Sequence, residues 1–375
     1  MTPDISVIIP LYNARDLVGY TIDSLLNQTK KELEILLVDD CSTDGSAEYV
    51  EQRYAGDERV RVIRQPKNGG PGVARNTGIE QARGEYITFC DSDDQIKPEC
   101  YEKMFAVARA YDADVVHATG CLISMLENTP DDMLTVKDED WCACHSDRPD
   151  VLKVTPVTGT PQELLEGWLQ HNYHWAIWNK LYRRQLLMEH HIRFGKMRLA
   201  EDQHFCFCCL FLAKTYVQMP GFWYCYRQVP TSACRGKYDM KFLLKALRSG
   251  FEAVEAMEES GKAMPWFAEH PDELGRAVTY VADGIDTAFT RQIYWALGEE
   301  TVRSSAEVHA LFREFLGNQA PAMEALFNDA HALRPKEDDF MALVNSPLGL
   351  RRLVEGGFFL TLKDKQKQLE EAAKV

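Results

Sequence analysis

Through the first third of the chain, short apolar runs alternate with helical stripes, and three of the runs end in a polar cluster. Residues 5–11 (ISVIIPL), closed by Pro10, read as a buried strand. Residues 15–28 carry a helical stripe at Leu17, Val18, Ile22, Leu25 and Leu26. Residues 33–38 (LEILLV) predict a second strand ending in Asp39-Asp40, and 44–54 a helix with Asp44 or Ser46 as cap. Residues 59–64 (RVRVIR) alternate as a third strand, after which Gly69-Gly70-Pro71-Gly72 opens a helix around 72–83. Residues 85–90 (EYITFC) predict a fourth strand, ending in Asp91-Ser92-Asp93-Asp94. A helix at 99–111 and a fifth strand at 114–118 follow. Such alternation implies an α/β fold, a mostly parallel sheet flanked by helices. Ligands of such sheets bind beyond the carboxyl ends of the strands. Three polar clusters fall there: the segment after Pro10, Asp39-Asp40 and Asp91–Asp94.

The second half reads differently. Residues 127–150 hold eight acids against two bases and predict an exposed excursion. Aromatics and His then gather at Trp168, His171, Tyr173, His174, Trp175 and Trp178. From about residue 236 the pattern is helical, at 239–259, 273–297, 304–316 and 320–331. The expected division is a nucleotide-binding and catalytic domain over 1–235 and a mainly α-helical domain over 236–375.

Acids outnumber bases 57 to 42, a net charge of −15. Broad phosphate-backbone binding needs a Lys/Arg surplus, so a nucleic-acid partner is not expected. No stretch approaches the ~20 apolar residues of a membrane span. The start, MTPDISVIIPLYN, has no basic region before its apolar run, so no signal peptide and a reducing, cytoplasmic location are expected. Cys142, Cys144 and His145, and Cys206, Cys208 and Cys209, lack paired CxxC spacing. They read as small buried hydrophobes rather than zinc ligands.

Asp91-Ser92-Asp93 is a DxD element at a strand end. Closely spaced carboxylates repel unless a cation sits between them. A hard ion such as Mg²⁺ or Mn²⁺ prefers such oxygen ligands and can bridge a diphosphate. DxD alone is a common tripeptide that also occurs as a solvated turn.

In order and spacing, ISVIIPLYN, LVDDCSTDGS, NGGPGVARNTGI and GEYITFCDSDD resemble the family 2 glycosyltransferases, whose nucleotide-sugar-binding domain has the GT-A fold. The resemblance covers about residues 4–120 and continues through IWNKLYRRQLL, LAEDQHF and YCYRQ. It implies an inverting, metal-dependent transferase. A nucleotide-diphospho-sugar, a UDP-sugar above all, would donate to a hydroxyl of a glycan or lipid-linked acceptor, building surface polysaccharide or glycolipid on the cytoplasmic side of a bacterium.

By the same resemblance, Pro10, Tyr12 and Asn13 belong to the first nucleotide-contacting strand end, with Tyr12 able to stack on the base. Asp40 matches the carboxylate accepting from uracil or ribose. The basic and amide side chains at Arg75 and Asn76 face the nucleotide. Asp93 matches the metal-contacting carboxylate, Asp91 reaches toward ribose or sugar, and Asp94 is an auxiliary ligand or orients the loop. Glu201-Asp202 matches an element in which Asp202 deprotonates the acceptor hydroxyl while Glu201 assists or caps the helix; an alcohol is a weak nucleophile and needs such a base. Lys180 and Arg227 are candidates for positive charge beside the leaving phosphate. Trp175 and Trp178 are candidates to stack on a sugar, and His171 and His174 to wall a pocket.

Two other classes compete with this one. A sugar-1-phosphate nucleotidyltransferase needs a Gly-rich loop after the first strand, where PLYNARD stands. A non-catalytic nucleotide-sugar-binding scaffold would not need Asp40, Asp91, Asp93 and Asp202 together. Basic stretches at 237–248 and 351–367 read either as helices packed on a core or as a peripheral membrane contact. The acidic surplus divides as −9 before residue 236 and −6 after it. An acidic chain that binds a diphosphate needs local positive charge, so donor binding is expected to depend on the divalent ion.

Overall fold

In a computed structural model the described residues are 2–124, 130–137, 141–144, 153–157, 159–170, 172–173, 175–195, 197, 200–227 and 240–281. The chain divides into two compact units, Met1–Ser232 and Ala233–Val375.

The first unit is built on β1 (Ile5–Leu11), β2 (Leu33–Asp39), β3 (Val60–Arg64) and β4 (Tyr86–Phe89). Between them lie α1 (Val18–Leu26), α2 (Ser46–Arg53) and α3 (Pro71–Gln81). β1 pairs in parallel with β2 and β4, and β2 with β3. Helices cover both faces of such a sheet, which explains why β2 is buried at every position rather than alternating. Full burial of each Ile, Leu or Val stabilises by about 1.5–3 kcal/mol. The register sets Leu11 opposite Asp39, Asp39 opposite Arg64 and Ile8 opposite Phe89. The carboxyl ends of β1, β2 and β4 therefore share one edge. α3 packs so closely that a Cβ on Gly78 would lie 2.3 Å from Ile8 Cγ2.

The other half of the sheet departs from simple alternation. It contains β5 (Gln95–Ile96), β6 (Val115–Ser124), β7 (Trp141–Cys144), β8 (Thr155–Val157), β9 (Lys180–Arg183) and β10 (Tyr216–Tyr226). The helices here are α4 (Cys100–Tyr111), α5 (Pro161–Leu169), α6 (Arg184–Glu189) and α7 (Glu201–Leu212). The order is β3-β2-β1-β4-β9-β6-β10-β5, with β7 on β6 and β8 on β10. β9 runs antiparallel between β4 and β6, while β6 and β10 are parallel. The 127–150 stretch is not simply an exposed excursion. Its described parts include β7, paired to β6, and Met133, which is fully buried.

In the second unit, α8 (Met240–Lys262) and α9 (Pro265–Glu269) are described. Ala253, Val254, Met257, Phe267 and Leu274 are buried there. Among the described residues no helix is long and apolar enough to cross a membrane. The predicted helices at 304–316 and 320–331 and the basic stretch at 351–367 lie outside the described residues.

Candidate active site at the strand ends

The turn after β1 folds against the turn after β2. Asn13 has a positive φ of 49°. Its Oδ1 accepts from Thr43 N at 2.8 Å, and its own N–H donates to Ser42 Oγ at 3.1 Å. Pro10 is half-buried opposite Val38, and Tyr12 stands at the rim, 53% exposed. A flat aromatic held out at a strand end suits stacking on a planar base.

Asp40 is buried and shapes the glycine-rich entry to α3. Its carboxylate accepts from Gly69 N at 2.8 Å and from Gly70 N at 2.7 Å, and its carbonyl from Asn68 Nδ2 at 2.9 Å. Gly70 takes φ 86°, which glycine adopts without strain, and Pro71 then begins the helix. Asp40 therefore holds the loop with both oxygens. A carboxylate has about four acceptor sites, so capacity for a ligand remains.

β4 delivers Asp91–Asp94 to the same edge. Asp91 Oδ1 accepts from Arg75 Nη2 at 3.1 Å, and its N–H donates to the Tyr224 hydroxyl at 3.2 Å. Asp94 is buried and committed to the protein. It accepts from Tyr224 Oη at 2.6 Å and from Arg227 N at 2.7 Å. Burial, then the charge of Asp93, raises its pKa well above the ordinary value. Of the two roles expected for Asp94, the geometry matches loop orientation. Asp93 differs: among the described residues its carboxylate has no side-chain partner. Burial, then like charge on Asp91, pushes its pKa up to about 6.

This arrangement fits a hard cation in a limited way. No group of three His, Cys, Asp or Glu side chains is arranged for a metal among the described residues. Asp91 and Asp93 supply two carboxylates, one without a side-chain partner and disfavoured as an isolated anion. Mg²⁺-type sites often take one or two carboxylates and complete their shell with water and phosphate oxygens.

The cations expected beside a leaving phosphate are engaged elsewhere. Lys180, 2% exposed, donates from Nζ to Ala176 O at 2.6 Å and to Asn179 Oδ1 at 3.0 Å. Arg227 donates from Nε to Asp93 O at 2.9 Å, from Nη1 to Pro130 O at 3.1 Å and from Nη2 to Asp131 O. It is a clamp on the backbone of the DxD loop, tying part of the acidic stretch to it.

α7 begins at Glu201, after Ala200 in the left-handed region at φ 64°. A non-glycine residue there carries strain, and such strain tends to gather at active sites. Glu201 is the first residue of the helix, with Ala200 at the cap position. Its Oε1 accepts from Arg75 Nη1 at 2.9 Å, and burial followed by the charge of Asp202 pushes its pKa up to about 7. Burial also raises the pKa of Asp202, opposed by Arg75 and by N–H groups at the helix start. Arg75, 7% exposed, stays charged. Desolvation disfavours that charge, and the carboxylates of Asp91, Glu201 and Asp202 more than offset the penalty.

Asn76, expected to face the nucleotide, is instead turned to Phe194. Trp178 stacks on Tyr224 with ring centroids 4.2 Å apart, so one face at least is taken by protein. Trp175 is half-buried, and Cys206 donates to its carbonyl at 3.3 Å. Cys206, Cys208 and Cys209 are buried. His171, His174 and His145 lie outside the described residues. Sequence reasoning missed Tyr224 and Ala200. Tyr224 stands 130 positions from the Asp94 it touches, and the sequence marks no such pairing.

The model of Glycosyl transferase family 2 matches residues 6–131. The Bacillus subtilis (strain 168) protein EpsH, named as a glycosyltransferase, is 33% identical over 266 residues, covering 70% of this chain and 71% of that protein. The uncharacterized glycosyltransferase EpsJ of the same organism is 34% identical over 235 residues, covering 62% and 63%. Crystalline S. aureus TarS 1–349 in complex with UDP-GlcNAc has a TM-score of 0.54 at 19% identity, covering 97% of this chain and 92% of that one, a likeness of fold. The mostly parallel sheet with helices on both faces is thus a GT-A-type fold. The chain belongs to glycosyltransferase family 2.

Proposed function

We propose that this chain is a divalent-cation-dependent, inverting glycosyltransferase that takes a UDP-linked sugar as donor. Its acceptor would be a hydroxyl of a glycan or lipid-linked glycan. One observation carries the reading: Arg75 draws the DxD carboxylate Asp91 and the Glu201–Asp202 pair to a common edge of the sheet. A donor-side and an acceptor-side carboxylate set are thereby neighbours.

In this reading Tyr12 stacks on the base, and the Asp40-bound glycine turn and α3 entry face the nucleotide. A cation held by Asp91 and Asp93 would offset charge on the departing diphosphate. Asp202 holds the acceptor hydroxyl and takes its proton as that oxygen bonds the anomeric carbon. The bond from carbon to diphosphate oxygen breaks in the same step, inverting the centre. Glu201, paired to Arg75, fixes the start of α7 beside Asp202. Lys180 and Arg227 act by holding protein carbonyls, of the backbone and of the Asn179 side chain, rather than on phosphate. The UDP-GlcNAc bound by TarS supports the donor class and leaves the sugar open.

The test is a screen of nucleotide-sugars for transfer and for release of nucleotide diphosphate, with and without Mn²⁺. General-base removal typically costs about 10²–10⁴-fold, so Asp202→Asn should lose at least about 100-fold in transfer. Full transfer by Asp202→Asn would exclude it as the base. Release unaffected by chelation or by Asp93→Ala would exclude the metal role.

A further inference from the structure

The carboxamide of Asn76, on α3 next to Arg75, pairs with both backbone groups of one distant residue. Nδ2 donates to Phe194 O at 2.8 Å, and Oδ1 accepts from Phe194 N at 2.8 Å, across 118 positions of chain. Exchanging the amide O and N would set donor against donor and acceptor against acceptor, so the pairing fixes the orientation. Asn76 acts here as one rung of a β-ladder would, satisfying an N–H and a C=O that no strand neighbour covers.

Phe194 is itself a junction. It is 3% exposed, and its ring lies parallel on Phe205 of α7 with centroids 4.2 Å apart. It meets Phe89, the last residue of β4, edge-on at 5.2 Å. The Arg75 guanidinium stands 5.4 Å from its centroid. At the next residue α3 approaches the backbone directly: a Cβ on Gly72 would lie 3.2 Å from Gly195 O and 3.6 Å from Glu201 Cγ. Phe205 follows Asp202 by one helical turn, so whatever seats Phe194 also seats the start of α7.

We propose that Asn76 is a positioning residue for the Glu201–Asp202 pair, acting through Phe194 and making no contact with donor. This rests on the reading of Asp202 as general base. Catalytic groups must be held within about 0.5 Å of their working geometry, and a misplacement of about 1 Å costs about 100-fold in rate. Loss of the carboxamide frees both backbone groups of Phe194 at once.

The experiment compares the full chain with its Asn76→Ala variant by three readouts: hydrogen exchange over residues 190–205, affinity for UDP, and kcat for transfer. The expected result is exchange over 190–205 faster by about tenfold, from two lost hydrogen bonds. The kcat should fall by about tenfold or more, with UDP affinity held within about twofold. Unchanged exchange over 190–205 would overturn the proposal. So would UDP affinity falling in step with kcat, which would place Asn76 on the donor. If Asn76→Ala does not fold, Phe194→Leu keeps the backbone partners and removes the ring stack. It should show the same loss of kcat at unchanged UDP affinity, and a wild-type kcat there would equally overturn the proposal. Full transfer by Asp202→Asn would remove the base reading alone, since exchange and UDP affinity do not depend on it.

Discussion

Arg75 donates from Nη1 to Glu201 Oε1 at 2.9 Å, joining α3 to the first residue of α7 across 126 positions of sequence. Its other terminal nitrogen holds Asp91 at 3.1 Å. One buried cation thus sets the spacing between the DxD element and the acidic pair on α7. Removing one member of a buried ion pair leaves its partner uncompensated, at about 3–5 kcal/mol. Arg75→Met should lower the melting temperature of the chain and cost at least about 100-fold in kcat/KM. Arg75→Lys should recover part of the stability and little of the rate, because an ammonium cannot span two carboxylates in a fixed fork. Thermal melts and steady-state kinetics check both.

The acidic pair on α7 predicts a pH dependence of stability. The Glu201 carboxyl is pushed up to about 7 from an ordinary 4.5. Between those values the folded chain keeps a proton that the unfolded chain has lost. The contribution is fully present below pH 4.5 and lost as the pH rises through about 7. Urea midpoints should therefore decline from pH 5 to pH 8, and Glu201→Gln should flatten that decline.

Activity should follow the opposite slope. Asp202 must be ionised to take a proton, and burial raises its pKa. The acid limb of kcat/KM should stand above the ordinary aspartate range. Glu201→Gln removes the titration of its neighbour while leaving Arg75 in place, so the limb should move. A limb unmoved by that substitution would show that the two carboxylates do not titrate together.

Arg227 separates charge from geometry. Its contacts to Asp93 O, Pro130 O and Asp131 O are hydrogen bonds to carbonyls, not to phosphate. Arg227→Lys keeps the charge and loses the fork. It should weaken Mn²⁺-dependent UDP binding by about tenfold, nearly as much as Arg227→Ala, since misplaced metal supports cost about 10–100-fold. Calorimetric titration with and without Mn²⁺ measures it; wild-type affinity in Arg227→Lys would return Arg227 to a purely electrostatic role.

Asp93→Asn should remove most of the Mn²⁺ dependence of UDP binding while sparing the fold. Its carboxylate has no side-chain partner among the described residues to lose, and burial already disfavours its charge. Equal melting temperatures together with a Mn²⁺-insensitive UDP affinity are the expected pair of results.

Local pattern made the first half of the sheet legible. The apolar runs at 5–11 and 33–38 match β1 and β2, because a strand covered on both faces must be apolar nearly throughout. Each run's polar end marked the edge at which Asp40 and Asp91 stand, and motif order marked DxD and Glu201-Asp202. Short or polar elements escaped: β9 (KLYR) and β5 (two residues) exist through pairing with distant strands rather than through period. β7 lies in a stretch whose acidity suggested solvent.

The sequence by itself determined which residue types stand at the strand ends, since apolar periodicity and the turn residues that close a strand are short-range properties. Only the tertiary structure decided what each of them touches. It gave Arg75 to Glu201 and Asp91, Asp94 to Tyr224, Arg227 to the backbone of the DxD loop, and Asn76 to Phe194. Those pairings are set by where buried charges and unpaired backbone groups find partners in a closed core. That depends on the whole packing, and no spacing along the chain encodes it.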